Sequence, residues 1–400
     1  MMEENMMDAA PALEAKIARF ASFLQADPEN RNLLLDLGDL YHQAGQFEAA
    51  LHCFSQLCKL EPAMAVAQSR LANVYLSLHR FDEAAALLAE LVAGDAGNGS
   101  LQYNLGLAQY YQGHYAAAAA SFQAADKAGT GSADLYKYLS HCQHHEGQLE
   151  EAVAAASKWR AATVGADGSI SGQGADSTAY LALLEFDNGN REAALELAGA
   201  VLAVDPANLD ANAVMGGAAL EQQDIALAAD CFQQILAQRP DYGRAWLGLG
   251  LTYLHDNNND KALDAMTEAT RQMPGHAGTE VALGWSRVIV GDGVGAEATF
   301  RKAIEMDRNF AESHGGLAVA LIMQNRNEEA QKMIKAADRL DPANFGSVYG
   351  KALLLRADGR SELAQGLINR ALERAPVTGV NPLLENVRKF YLARTGKPWQ

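Results

Sequence analysis

Apolar residues along this chain recur every three or four places rather than alternating, a spacing that predicts helices and not strands. The helical pattern itself repeats. Aligned on itself with a period of 34, the chain gives ten consecutive units, starting at residues 31, 65, 99, 133, 175, 209, 243, 277, 311 and 345. The eighth residue of each unit is small, as at Gly38, Ala72, Gly106 and Gly250, and the twentieth is alanine from Ala50 through to Ala364. Two antiparallel helices joined by a short turn approach closely only where small side chains meet at the crossing. Phe54, Phe122, Phe232 and Phe300 on the second helices are expected to fill the space beside these crossings.

The boundaries are punctuated. Pro62, Pro206, Pro240, Pro274, Pro342 and Pro376 stand where a second helix must stop, because proline donates nothing to the helical ladder. The pattern Asp-Pro-x-Asn at Asp27–Asn30, Asp205–Asn208 and Asp341–Asn344 puts an asparagine where the next helix needs an N-cap acceptor. Gly45, Gly113, Gly147, Gly189, Gly291 and Gly359 mark tight turns inside the hairpins. Before the first unit, Leu13, Ile17, Phe20 and Leu24 predict one unpaired helix. After the last, Pro382–Arg394 reads as an amphipathic closing helix with Leu383, Leu384, Val387, Phe390 and Tyr391 on one side. End helices of this kind cover apolar faces that a terminal repeat would expose. Between the fourth and fifth units the register slips by eight residues, and the Gly/Ser-rich stretch from Gly165 to Ser177 fills the gap. Its composition predicts a flexible loop, either a hinge or a surface bulge. The expected organisation is therefore 1–164, a loop at 165–177, and 178–400.

The seventh unit carries Trp246, Leu249, Gly250 and Tyr253, followed by Ala262, Ala269 and Pro274. On these residues the chain resembles the tetratricopeptide repeat family over about residues 31 to 378. The resemblance implies an all-α fold: a right-handed α-solenoid of about ten 34-residue helix-turn-helix repeats with a capping helix at each end. It also implies that first helices line a concave side that holds a partner polypeptide. Carried over place by place, units three to five supply Tyr103, Asn104, Tyr110, Tyr111, Lys137, Tyr138, His141, His144, His145, Tyr180 and Phe186. Units seven to nine supply Leu247, Leu251, Leu254, Trp285, Val288, Val319, Ile322 and Met323, an apolar strip continued by Tyr349 and Leu353. Aromatic residues with polar tips predict a peptide-binding surface, and the apolar strip predicts room for an amphipathic helix. Packing between neighbouring hairpins, or occupation by the closing helix, is the other use open to the strip. The function implied is a non-enzymatic scaffold, adaptor or chaperone that holds an extended segment or helix of a client protein. The alternative is an accessory subunit of an enzyme such as a glycosyltransferase, or of a secretion assembly. Some family members clamp a terminal carboxylate with lysine and asparagine, but Leu35 and Asp39 occupy those places here.

Charge and composition narrow the partner. The formal net charge is −17, with 49 acidic against 32 basic residues, which disfavours nucleic acid and anionic lipid. Neither a run of apolar residues long enough to span a membrane nor a basic-then-apolar leader is visible. Cys53, Cys58, Cys142 and Cys231 form no C-x-x-C pair and predict reduced thiols in a cytoplasmic protein, while the alanine- and glycine-rich repeats suggest a bacterial one. The glycine-rich stretch lacks the Gly-Lys-Ser/Thr of a phosphate loop, and Gly168–Gly172 misses the G-x-S-x-G register. His141 and His145 share a helix face at i and i+4 but have no evident third ligand, so no cofactor or metal is expected.

Overall fold

The computed structural model describes the backbone of residues 2–374, with side chains from 11 to 369. These residues form twenty-one α-helices and no strand. The fold is an all-α solenoid, and the chain divides into two compact units, one ending at Gly189 and the other beginning at Asn190.

The first unit opens with α1 (Met2–Ala26), then pairs α2 (Arg31–Gln43) with α3 (Phe47–Leu60) and α4 (Ala65–Ser77) with α5 (Phe81–Gly94). The pairs α6 (Gly99–Tyr111) with α7 (Tyr115–Lys127) and α8 (Ala133–His145) with α9 (Leu149–Thr163) follow, and α10 (Gln173–Asp187) closes the unit. The second unit opens with α11 (Arg191–Leu202). Its hairpins are α12 (Leu209–Glu221) with α13 (Ile225–Gln238), α14 (Gly243–His255) with α15 (Asn259–Gln272), and α16 (Ala277–Ile289) with α17 (Gly293–Met306). The last two are α18 (Ala311–Met323) with α19 (Asn327–Leu340) and α20 (Phe345–Ala357) with α21 (Ser361–Arg374).

Nine of the ten starts expected from the repeat coincide with the first residue of a helix, and α10 begins two residues early. Local chemistry explains this accuracy. Asn30, Asn98, Asn208 and Asn344 each accept a hydrogen bond from the backbone N–H three residues on, at 3.1, 3.2, 3.1 and 3.0 Å. Each thereby satisfies a donor that a helix N-terminus leaves without a partner. The turn inside each hairpin takes a left-handed residue. Glycine does so at six places, while His79, Gln223, Asn257 and Asn325 hold the same backbone at φ of 57°, 63°, 57° and 62°.

Inside four of the hairpins, those of Gly38, Gly106, Gly216 and Gly284, the eighth-place glycine accommodates an aromatic ring more than it faces the alanine. A Cβ on Gly38 would come within 2.6 Å of the Phe54 ring, and one on Gly106 within 2.7 Å of Phe122. Phe232 and Phe300 reach further. Phe232 fits against Gly216 of its own hairpin and Gly248 of the next, and Phe300 against Gly284 and Gly316. Burying such a ring is worth about 2–3 kcal/mol relative to leaving it exposed.

Two expectations shift. The unpaired first helix is present and packs Leu13, Ile17, Phe20 and Leu24 around Leu34 and Leu37, but it begins at Met2, well before Leu13. The Gly/Ser-rich loop is shorter than 165–177, because α10 already starts at Gln173. Gly174 allows that close start, since a Cβ there would sit 3.0 Å from the Thr163 carbonyl oxygen. Thr163 and Ser177 hydroxyls then meet at 2.7 Å, tying α9 to α10 within the first unit. Pro376 and the closing helix expected at Pro382–Arg394 lie outside the described residues.

Candidate partner-binding surfaces

In the first unit, the first helices of successive repeats are joined by a series of side-chain rungs. Arg70 of α4 pairs with Asp39 of α2 at 2.8 Å, and His42 Nε2 lies 3.1 Å from Ser77 Oγ. Asn104 of α6 donates to Asn73 of α4 at 2.7 Å. The chemistry then changes to rings. The Tyr111 and Tyr138 hydroxyls meet at 3.0 Å between α6 and α8, and the Tyr110 hydroxyl lies 3.4 Å from His141 Nδ1. His144 Nδ1 contacts the Tyr180 hydroxyl of α10 at 3.0 Å, with the Asp187 carboxylate 3.5 Å from its Nε2. Residues three and four apart share one face of a helix, which is why Tyr138, His141 and His145 all reach this side.

Further rings hold the rungs in place. Phe81 stacks on Tyr111 at 4.8 Å, and Tyr110 meets Tyr138 edge-on at 5.0 Å and Tyr115 at 5.6 Å. Tyr115 lies flat on His145 at 4.1 Å, while Tyr180 rests against His141 at 4.5 Å and Trp159 at 6.0 Å. Tyr103 and Tyr138 pack on Phe122, and the Lys137 ammonium sits 5.7 Å above the Trp159 ring and 6.0 Å from Tyr138. Such pairs contribute about 0.5–1.5 kcal/mol each beyond the area they bury. The cluster is therefore preorganised, yet Tyr111 stays half exposed, His145 is exposed, and Tyr138, Tyr180, His144 and Phe186 are half-buried.

Protonation follows from burial. Desolvation pushes the Tyr103 and Tyr110 phenols up to about 12, and raises Tyr138 as well, helped by its bond to Tyr111. Burial, reinforced by Lys137, pulls His141 down to about 4, and His145 is lowered by burial and by His144 beside it. Around pH 7 the His141 imidazole and the Tyr103, Tyr110 and Tyr138 phenols are therefore neutral. The His141 and His145 rings are turned to Tyr110 and Tyr115 respectively, and among the described residues no three His, Cys, Asp or Glu side chains stand close enough to hold a metal ion. Cys53 and Cys142 are buried with thiols pushed up to about 11 and 12, far from nucleophilic.

The apolar strip of the second unit is arranged differently from the expectation. Leu254, Trp285, Val288 and Val319 are 0–1% exposed and have no surface to offer. The Trp285 ring of α16 reaches over α18 to Phe345 and Tyr349 of α20, at 5.4 and 6.4 Å, and Phe345 stacks on Tyr349 at 5.7 Å. Glycine makes this possible: a Cβ on Gly346 would lie 2.5 Å from the Gly315 carbonyl carbon, so α18 and α20 cross backbone on backbone. The Trp285 indole N–H donates to Glu312 at 3.0 Å, and the same carboxyl accepts from the Asn344 side chain and the Gly346 N–H. Leu247, Leu251, Ile322 and Met323 are half-buried against this core.

Sequence reasoning passed over Phe81, Tyr115 and Trp159, which brace the first surface, and Phe345 and Glu312, which close the second. Phe81 and Tyr115 occupy the first place of consecutive second helices, a spacing that would have revealed them. No helix among the described residues is long and apolar enough to cross a membrane.

Comparison with known proteins agrees with the repeat. The tetratricopeptide repeat family model matches residues 35–100, 103–166, 181–229 and 214–277, and a second model of the same repeat matches 290–344. Among solved structures, a tetratricopeptide repeat protein from Parabacteroides merdae is 15% identical with a TM-score of 0.51, covering 64% of this chain and 98% of that one. Yeast Tom70 is 16% identical with a TM-score of 0.38, over 98% of this chain and 94% of its own.

Proposed function

This chain belongs to the tetratricopeptide repeat family, and from that premise we propose that it is a protein-interaction scaffold that holds a segment of a client protein on the first-helix surface of its N-terminal unit. The observation that supports this reading is the run of ring-bearing rungs Tyr111–Tyr138, Tyr110–His141 and His144–Tyr180. These rings are braced from behind and partly open in front, so little side-chain entropy is lost when a partner is bound. Aromatic anchors fixed in this way carry much of the binding energy in protein interfaces. Tyr110, Tyr111, Lys137, Tyr138, His141, His145 and Tyr180 form the contact surface, with Tyr103 and Asn104 supporting it and Phe186 at its far edge. The second unit, with Trp285 and its neighbours turned inward, serves chiefly as framework.

The test is recovery of co-purifying proteins from the native host, identified by mass spectrometry. Tyr111→Ala combined with His145→Ala should deplete the same proteins that Trp285→Phe retains, with helicity unchanged. Equal recovery by the Tyr111→Ala/His145→Ala chain would overturn the reading.

A further inference from the structure

We propose that the segment bound on the N-terminal unit is an extended basic peptide, its lysine or arginine side chains lying on the Tyr111 and Tyr138 rings beside Asp82 and Asp134. This inference rests on the scaffold reading above and names the chemistry of the partner.

The cations on this surface are already engaged. Arg70 is paired with Asp39, and Lys137 lies over the Trp159 and Tyr138 rings. The anions are not matched in the same way. Asp36, Asp134 and Asp176 are exposed on first helices α2, α8 and α10, and among the described residues no ion pair includes them. Asp134 is close enough to Tyr103 and Tyr138 to help raise both phenols. Asp82, next to Phe81, is held toward this side by Gln112 at 2.7 Å. The half-exposed Tyr111 ring therefore lies between Phe81, which neighbours Asp82, and Tyr138, which is close to Asp134.

That combination selects a cation. A ring face attracts lysine or arginine by about 0.5–1 kcal/mol at exposed sites, and a neighbouring carboxylate adds to it. The Tyr110 and Tyr138 phenols stay protonated and His141 stays neutral around pH 7, so none of them changes the sign of the surface there. A carboxylate-bearing partner would meet these carboxylates, with Arg70 and Lys137 already engaged. The spacing favours an extended segment. Neighbouring packed helices lie roughly 8–10 Å apart, and an extended chain advances about 3.3 Å per residue, so one residue in three faces each successive first helix.

The experiment is fluorescence anisotropy with the full chain and three fluorescein-labelled peptides, carrying arginine, leucine or glutamate at every third position among serines. The arginine peptide should bind tightest and weaken as salt is raised. Asp134→Asn and Tyr111→Ala should each weaken it about fivefold, while Glu150→Gln with Glu151→Gln on α9 should leave it unchanged. Equal binding of the glutamate peptide, no binding of the arginine peptide, or equal loss in the α9 variant would overturn the proposal. Preference for the leucine peptide, lost in Tyr111→Ala, would overturn the basic partner and leave the scaffold reading standing.

Discussion

The indole N–H of Trp285 and the carboxyl of Glu312, 3.0 Å apart, join two first helices of the second unit. Because Asn344 and the Gly346 N–H converge on the same carboxyl, one acidic side chain ties together α16, α18 and the start of α20. Asn344 meanwhile caps α20 through its other amide atom. Its counterparts Asn30 and Asn208 turn that amide to the aspartate of their own Asp-Pro-x-Asn turns.

Burial pushes the Glu312 carboxyl from an ordinary value near 4.5 up to about 7. Between those values the folded unit holds a proton that the unfolded chain has released. Stability from this group is therefore greatest at acid pH and falls as pH rises through about 7, by about 3 kcal/mol in all. Urea denaturation of the wild type and Glu312→Gln across this range should give curves whose separation changes with pH. Parallel curves would show that the carboxyl does not titrate there.

His141 works in the opposite direction. Burial holds its imidazole neutral down to about 4, whereas the unfolded residue takes up a proton near 6.5. Its contribution to the first unit is complete above 6.5 and is lost as pH falls toward 4. In an NMR titration the His141 ring should show no protonation between about pH 8 and 5. A midpoint near 6.5 would mean that the contact with Tyr110 leaves the ring open to water.

Trp285→Ala should act on stability rather than on partner binding. The side chain is fully buried against Phe300, Phe345 and Tyr349, so truncation leaves a cavity and costs about 3–5 kcal/mol. It also strands the Glu312 carboxyl without one donor. Thermal denaturation should show the loss, with binding to the N-terminal unit kept at temperatures where the chain is folded.

Two glycine substitutions separate rigid from yielding contacts. A Cβ at Gly346 would meet the Gly315 backbone at 2.5 Å, whereas one at Gly250 would meet the tip of Met266 at 2.8 Å. Backbone cannot step aside and a methionine can. Gly346→Ala should cost about 3 kcal/mol and Gly250→Ala about 1 kcal/mol by chemical denaturation. Equal losses would mean that α18 and α20 can separate without penalty.

The repeat was legible in the sequence because its signals are local. Asn30, Asn208 and Asn344 lie within three residues of the N–H groups they cap, so spacing alone placed the helix starts. The family resemblance also assigned Tyr111, Tyr138 and Trp285 to the partner-facing side of the first helices. Periodicity carries no information on whether rows of one sign of hydropathy meet each other or stay apart. Trp285 and Tyr349 were read as surface because they lie 64 positions apart, and only the backbone approach at Gly315 and Gly346 brings them together. The loop was misjudged for a related reason. Glycine at 174 signals flexibility by composition, but here it serves a close contact with Thr163.

Phe232 and Phe300 each fill two glycine hollows, one in their own hairpin and one in the next. Recombination that replaced the hairpin after either ring with one bearing arginine or asparagine at that place, as Arg70 and Asn104 do, would set a side chain into an occupied space. Copies of this module are therefore not free to trade places. The order of the hairpins is itself inherited, and a duplication or deletion at these two junctions survives only if it carries ring and hollow together.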